Sequence, residues 1–207
     1  MSKDRRFEFE GLGAALSNLL LATLFIAFAY AHLQSFLEQP RLSLLLIVAV
    51  EALVAVMLII RREPDQTRHG WKTWIATSIG TFAPMLLRPT DAPADLLVGQ
   101  VLQVLAFGLQ IAAVLSLNRS FGLLPAHRGV KSDGLYRWVR HPLYSTYLMA
   151  HLGYLANNMS LQNVVVVAVV TGFQIVRILQ EEQLLNQYPD YARYTLGTRW
   201  RLIPAIW

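Results

Sequence analysis

The chain has 207 residues, 55% hydrophobic and 15% charged, with a net charge of +5. Soluble domains carry ~25% charged residues, so this composition excludes an ordinary soluble fold and implies a polytopic membrane protein. There is no cysteine, which excludes disulfides, thiolate metal sites and a cysteine nucleophile.

Hydrophobic runs fill most of the chain and leave no stretch for a separate globular unit, so the expected organisation is one all-α membrane domain over 1–207. Its spans fall near residues 12–36, 42–60, 72–88, 95–117, 142–157 and 161–185. The first follows a basic start, as a signal peptide would. However, its apolar run from Leu12 to Leu33 approaches the ~20 residues that cross a bilayer, and no small-residue cleavage motif ends it. The fifth span is short and is separated from the sixth only by "NNMS", which predicts a tight helical hairpin. The triplets at Asn118 and Asn158 that match a glycosylation pattern lie against predicted spans and read as chance matches.

The basic residues explain the net charge. The N-terminal segment holds Lys3, Arg5 and Arg6, the second loop Arg61, Arg62, Arg68 and Lys72, the fourth Arg119, Arg128, Lys131, Arg137 and Arg140, and the tail Arg193, Arg199 and Arg201. The first and third loops hold only Arg41 and Arg88. By the positive-inside rule, both termini and the even loops face the cytoplasm, so the basic excess signals orientation and no nucleic-acid partner is expected.

Two regions break the apolar pattern on that side. The fourth loop, "NRSFGLLPAHRGVKSDGLYRWVRHP", is longer than a bundle connection needs and contains enough apolar residues to pack. Its end places Pro142 at the first position of the fifth helix, whose N-terminus, with Arg140 and His141, suits an anion. Beyond it Tyr144, Tyr147, His151 and Tyr154 recur at spacings of three and four, along one helix face. An interfacial aromatic belt is the alternative reading, but the stripe runs deeper than a belt. The second region is "RILQEEQLLNQYPDYARY". Arg177 lies about 24 Å along the sixth helix at ~1.5 Å per residue, and Glu181 is its i,i+4 neighbour. Because the hairpin is antiparallel, Arg177, Glu181 and Glu182 return to the level of Arg140 and His141. Ionisable groups converging at the edge of the hydrocarbon point to a functional site.

In their order, "GLYRWVRHPLY", "RILQEEQLL", "YPDYARY" and "RLIP" resemble the isoprenylcysteine carboxyl methyltransferase family and its bacterial relatives, including phospholipid methyltransferases. The resemblance covers about residues 114 to 205; residues 1–113 are the variable N-terminal helices, and 114–207 the catalytic core. Thr146 stands where the family tends to have glycine. The resemblance implies an S-adenosylmethionine-dependent methyltransferase, multi-pass in a bacterial inner membrane, with the cofactor enclosed by the long cytoplasmic loop and the hairpin. It implies His127, Gly134, Tyr136, Arg140, His141, Pro142, Tyr144 and Glu182 at the cofactor. Arg177 and Glu181 become catalytic, Tyr147, His151 and Arg177 meet the acceptor, and no metal is involved. The implied acceptor is lipophilic, reaches the site from among the membrane lipids, and resembles an isoprenylcysteine carboxylate. A phospholipid amine, a small thiol, or NADPH-dependent reduction on a related scaffold are the alternatives.

The orientation has a direct check. Cysteines introduced singly at Ser2 and Asn158 of this cysteine-free chain should differ in labelling by an impermeant thiol reagent in intact cells; equal labelling contradicts the topology.

Overall fold

The computed structural model describes residues 3–90 and 96–207, with side chains from residue 15 onward. Ser2 lies outside the described residues. The chain forms two compact units, Met1–Arg61 and Arg62–Trp207.

The first unit is a hairpin of α1 (Lys3–Glu38) and α2 (Leu42–Ile60). Pro40, in the short connection, has no N–H to continue a helix. The pairing is antiparallel because Arg61 reaches Asn18 while His32 Nδ1 meets Glu51 Oε2 at 2.9 Å. Glu51 is buried within an apolar run, where a carboxylate without a partner would be costly. The His32–Glu51 pair was not anticipated from sequence spacing. Leu16, Leu19, Leu20 and Ile26 are exposed, as suits helices facing lipid.

The second unit contains α3 (Trp71–Phe82), α4 (Leu97–Leu117), α5 (Pro142–Asn157), α6 (Leu161–Leu185) and α7 (Pro189–Gly197). Cross-contacts fix their directions. Arg68 bonds Gln183, Gly80 faces Gln174 and Arg177, and Arg88 meets Asn163, so the 68–88 segment runs antiparallel to α6. His141 and Tyr144 meet Glu182 and Glu181, which confirms the antiparallel α5–α6 hairpin. Two glycines let α4 and α5 approach closely: a Cβ on Gly153 would lie 2.9 Å from Gly99 O, and one on Gly99 would collide with Asn157. Buried Thr146 instead satisfies its hydroxyl on Leu143 O at 2.7 Å, within its own helix.

Among the described residues four helical stretches are long and apolar enough to cross a membrane: Ala15–Glu38, Leu42–Ile60, Leu97–Ser120 and Leu161–Leu185. The other two expected spans are shorter. Pro84 ends α3 early, and a helical turn, Ala83–Leu86, follows. At ~1.5 Å per residue, the 16 residues of α5 extend about 24 Å. The long fourth loop is anchored to the second connection by β1 (Gln66–Thr67) and β2 (Ala126–His127), paired antiparallel with Gln66 opposite His127. Arg62 N–H also donates to Arg119 O at 2.7 Å, and Arg68 N–H to Pro125 O at 2.9 Å. At the other end of the unit, Asn163 is fully buried (0% exposed). Its Oδ1 accepts from Arg88 N–H at 2.9 Å, while Nδ2 donates to Arg88 O and Asn158 O at 2.8 and 2.7 Å. Asn158 Oδ1 in turn accepts from Thr90 N–H. Met159, 67% exposed, is therefore a labelling position that leaves this knot intact.

Replacing buried Asn163 by leucine removes its hydrogen bonds to the backbone of Arg88 and Asn158, and should cost about 1–3 kcal/mol. A thermal unfolding scan in detergent checks this; a wild-type melt for Asn163→Leu contradicts it.

Candidate active site

The termination of α6 and the entry to α5 place two acidic residues on different sides of one helix. Successive residues of an α-helix point ~100° apart, so Glu181 and Glu182 face different neighbours. Glu182 is 4% exposed. Its Oε1 accepts from Arg140 Nη1 at 2.8 Å and lies 3.4 Å from His141 Nε2 and from the Tyr191 hydroxyl; its Oε2 accepts from Arg201 Nε at 2.7 Å. The donors come from the start of α5, from α7 and from the C-terminal segment. That segment runs beside the RHP stretch, because Arg140 N–H donates to Trp200 O at 2.8 Å and His141 N–H to Arg201 O at 2.9 Å. Ser145 Oγ adds a bond to Leu202 O at 2.6 Å. The helix N-terminus expected to attract an anion thus has a carboxylate of the chain itself against its two flanking residues.

Glu181 points in a different direction, onto a cleft walled by the fourth loop, α5, α6 and α7. Tyr144, Tyr147, Arg177, Tyr136, Arg140 and His141 line the same cleft, with apolar walls that include Leu117, Phe121, Leu143 and Leu185. Arg177 and Glu181 do not pair directly as the i,i+4 spacing suggested. Instead, the Arg177 guanidinium lies 5.3 Å from the Tyr144 ring centroid, and the Tyr144 hydroxyl donates to Glu181 Oε2 at 3.1 Å. Tyr144 therefore stands between the two charges. Tyr147 packs edge-on against Tyr144, with centroids 6.0 Å apart. Arg177 is 4% exposed. Its Nη1 donates to Gln174 Oε1 at 3.1 Å and its Nη2 to Leu123 O at 2.9 Å, whereas Nε is buried without a partner.

The remaining wall comes from the fourth loop and α7. Arg128 and Lys131 bring two further cations to the cleft. Arg128 Nε donates to Arg62 O at 3.1 Å. Tyr194 donates its hydroxyl to Tyr136 O at 2.6 Å, joining α7 to the turn before RHP. Burial raises the Tyr136 phenol well above its ordinary pKa, with Glu181 adding to the shift, and pushes Tyr194 up to about 12. Burial and Glu182 raise Tyr191 in the same direction. These tyrosines stay neutral at working pH and contribute aromatic faces and hydroxyl groups rather than phenolate bases.

Of the residues singled out in the sequence, Tyr136, Arg140, His141, Tyr144, Tyr147, Arg177 and Glu181 meet at one cleft. Gly134, Pro142, Glu182, His127 and His151 are not on its wall. Gly134, with φ +58°, turns the chain beside Ser116, and Pro142 starts α5. His127 is a latch: its Nδ1 lies 2.7 Å from Asp65 and its Nε2 3.4 Å from Asp190, and its ring stacks on Tyr188 at 3.7 Å. His151 lines a smaller neighbouring pocket, which shares Tyr144 and includes Gln174 and Leu202. Sequence reasoning passed over Gln174, and read Arg201 only as part of the basic tail and the RLIP motif. For Gln174 the available signal was its polarity on an otherwise apolar stretch. Replacing Glu182 by alanine leaves Arg140, His141 and Arg201 without their shared carboxylate, a loss worth about 3–5 kcal/mol for a buried pair. The melting temperature of Glu182→Ala should fall, and limited proteolysis should cut near residues 198–207 first; an unchanged melt and digest contradict this role.

Residues 96–187 match the isoprenylcysteine carboxyl methyltransferase family. No curated protein matches the chain. The matched region runs from the start of α4 to just beyond α6 and includes the RHP stretch, Tyr144, Arg177 and Glu181, whereas the "YPDYARY" and "RLIP" motifs both lie outside it. Together with four helices of membrane-crossing length and apolarity, this makes residues 96–187 the isoprenylcysteine carboxyl methyltransferase-like region of an integral membrane protein.

Proposed function

We propose that the protein is an S-adenosylmethionine-dependent methyltransferase that methylates the carboxylate of a lipophilic, isoprenylcysteine-like acceptor. The observation that carries this reading is Arg177, a buried guanidinium on the wall of the tyrosine-lined cleft. Hydrogen bonds from Nη1 and Nη2 occupy two of its five N–H groups.

The donor set of the cleft fits the cofactor. A sulfonium suits the tyrosine faces of Tyr136, Tyr144 and Tyr147. The ammonium suits Glu181, the one carboxylate on the cleft wall among the described residues. A carboxylate suits the side formed by the Arg128, Lys131 and Arg140 cations beside the His141 ring, where Glu182 fixes Arg140 and His141 in place. Glu182 and His127 then act through position: Glu182 holds the RHP stretch and His127 holds the loop. When bound, S-adenosylmethionine supplies a methyl group on a positively charged sulfur. The chain's part is to align and dry the reactants. Arg177 orients the acceptor carboxylate, which is already ionised at neutral pH and needs no general base. Leu117, Phe121, Leu143 and Leu185 exclude water from that side. The lipophilic part of the acceptor lies toward Tyr147 and His151, and the 117–141 loop, with both termini, faces the cytoplasm.

Arg177→Ala should lower methyl transfer by about 100-fold or more, because an orienting charge in a desolvated site is lost. Binding of S-adenosylhomocysteine should stay within about twofold, and Arg177→Lys should remain impaired because an ammonium cannot reproduce a planar fork to a carboxylate. Rates with N-acetyl-S-farnesylcysteine, paired with product-binding calorimetry, decide it; near-normal transfer by Arg177→Ala removes Arg177 from the reaction.

A further inference from the structure

Pro84 has a consequence beyond ending α3. In a continuous helix, the carbonyl of Gly80 would accept from the N–H of residue 84. Proline has none, so that carbonyl is left over at a buried helix end. The acceptor is satisfied from another helix: Gln174 Nε2 on α6 donates to Gly80 O at 2.7 Å. An amide that gives its nitrogen to one partner must turn its oxygen the other way, and Gln174 Oε1 accepts from Arg177 Nη1 at 3.1 Å. Gly80 also provides the room. A Cβ there would lie 3.2 Å from Arg177 Cδ and 3.3 Å from Nη1, so any larger residue presses on the guanidinium. Gln174 and Arg177 are both buried.

We propose that Gln174, oriented by the carbonyl that Pro84 leaves free on Gly80, is a positioning residue that fixes the Arg177 guanidinium against the cleft. Two side chains and one backbone carbonyl hold Arg177: Gln174 at Nη1, Leu123 O at Nη2 and the Tyr144 ring beside the guanidinium. Of these, Gln174 alone connects it to α3, a helix outside the matched family region. The break in the third apolar run is therefore a device for aiming an α6 side chain. The catalytic consequence rests on the function proposed above; the positioning itself does not.

The test separates the two. Phenylglyoxal modifies arginine side chains, and its rate at Arg177 can be read by mass spectrometry of the purified, detergent-solubilised full chain, with no substrate present. Gln174→Leu should raise that rate about tenfold, the equivalent of one hydrogen bond to a charged group. Pro84→Ala supplies an N–H that competes for Gly80 O, so it should shift the rate in the same direction. The double variant should react no faster than Gln174→Leu, because both substitutions break one relay. Unchanged Arg177 reactivity in Gln174→Leu, or effects of the two substitutions that multiply, overturns the proposal. With N-acetyl-S-farnesylcysteine as acceptor, kcat/KM for Gln174→Leu should fall about tenfold while the Kd of S-adenosylhomocysteine is unchanged. A parallel loss of product binding would mean that Gln174 supports the whole cleft rather than Arg177, and would also overturn it. If wild-type protein binds no S-adenosylhomocysteine, the proposed function fails and the modification rates still decide the role of Gln174.

Discussion

The second unit depends on one buried carboxylate. An ionised group out of water is tolerated only when hydrogen bonds and opposite charges replace its hydration, and Glu182 obtains four such partners from three parts of the chain. Arg140 and His141 bring the start of α5, Tyr191 brings α7, and Arg201 brings the C-terminal segment. Satisfying Glu182 therefore assembles the entrance of α5, the end of α6 and the chain terminus at one level. The cost of leaving any of these donors or the carboxylate unpaired favours this arrangement over looser ones.

The same helix carries a second line of polar residues with a different task. Gln174, Arg177 and Glu181 follow each other at i, i+3 and i+7 on α6, a spacing that keeps them on one face. Glu182, one position further round, faces the structural knot. One side of α6 thus holds the fold together and the other lines the cleft. Tyr144 bridges the working side, with its ring under Arg177 and its hydroxyl on Glu181. An aromatic ring between a cation and an anion keeps both charges in place without letting them neutralise each other by contact. The His127 latch and the two-residue strands hold the 117–141 loop over this arrangement through bonds to residues 62–68.

Much of this was legible in the sequence, because it rests on local periodicity and on one piece of arithmetic. An antiparallel hairpin closed by "NNMS" must return Arg177 and the two glutamates to the level of RHP, and the structure has them there. What spacing could not show was pairing across long sequence distances. An i,i+4 Arg–Glu pair is the default expectation on an isolated helix, but Leu123, Gln174 and Tyr144 compete for Arg177 and win. The positive helix end at RHP was readable; that Glu182, some forty residues on, lies against the residues flanking it was not. His127 read as a ligand-binding loop histidine, and its ties to Asp65 and Asp190 depend on a strand pairing only two residues long. The six apolar runs gave helices in the right order. Their lengths were less secure, since Pro84 cuts the third and α5 has only 16 residues, leaving four helices that meet the length and apolarity of a span.

The central claim is that the cleft formed by the 117–141 loop, α5 and α6 is built for S-adenosylmethionine. Titration calorimetry of the purified full chain in detergent, with S-adenosylmethionine, S-adenosylhomocysteine and NADPH in parallel, tests it most directly. The account predicts saturable one-to-one binding of the first two and none of the third. Binding of NADPH without either sulfur compound would contradict it and reassign the cleft to reductive chemistry.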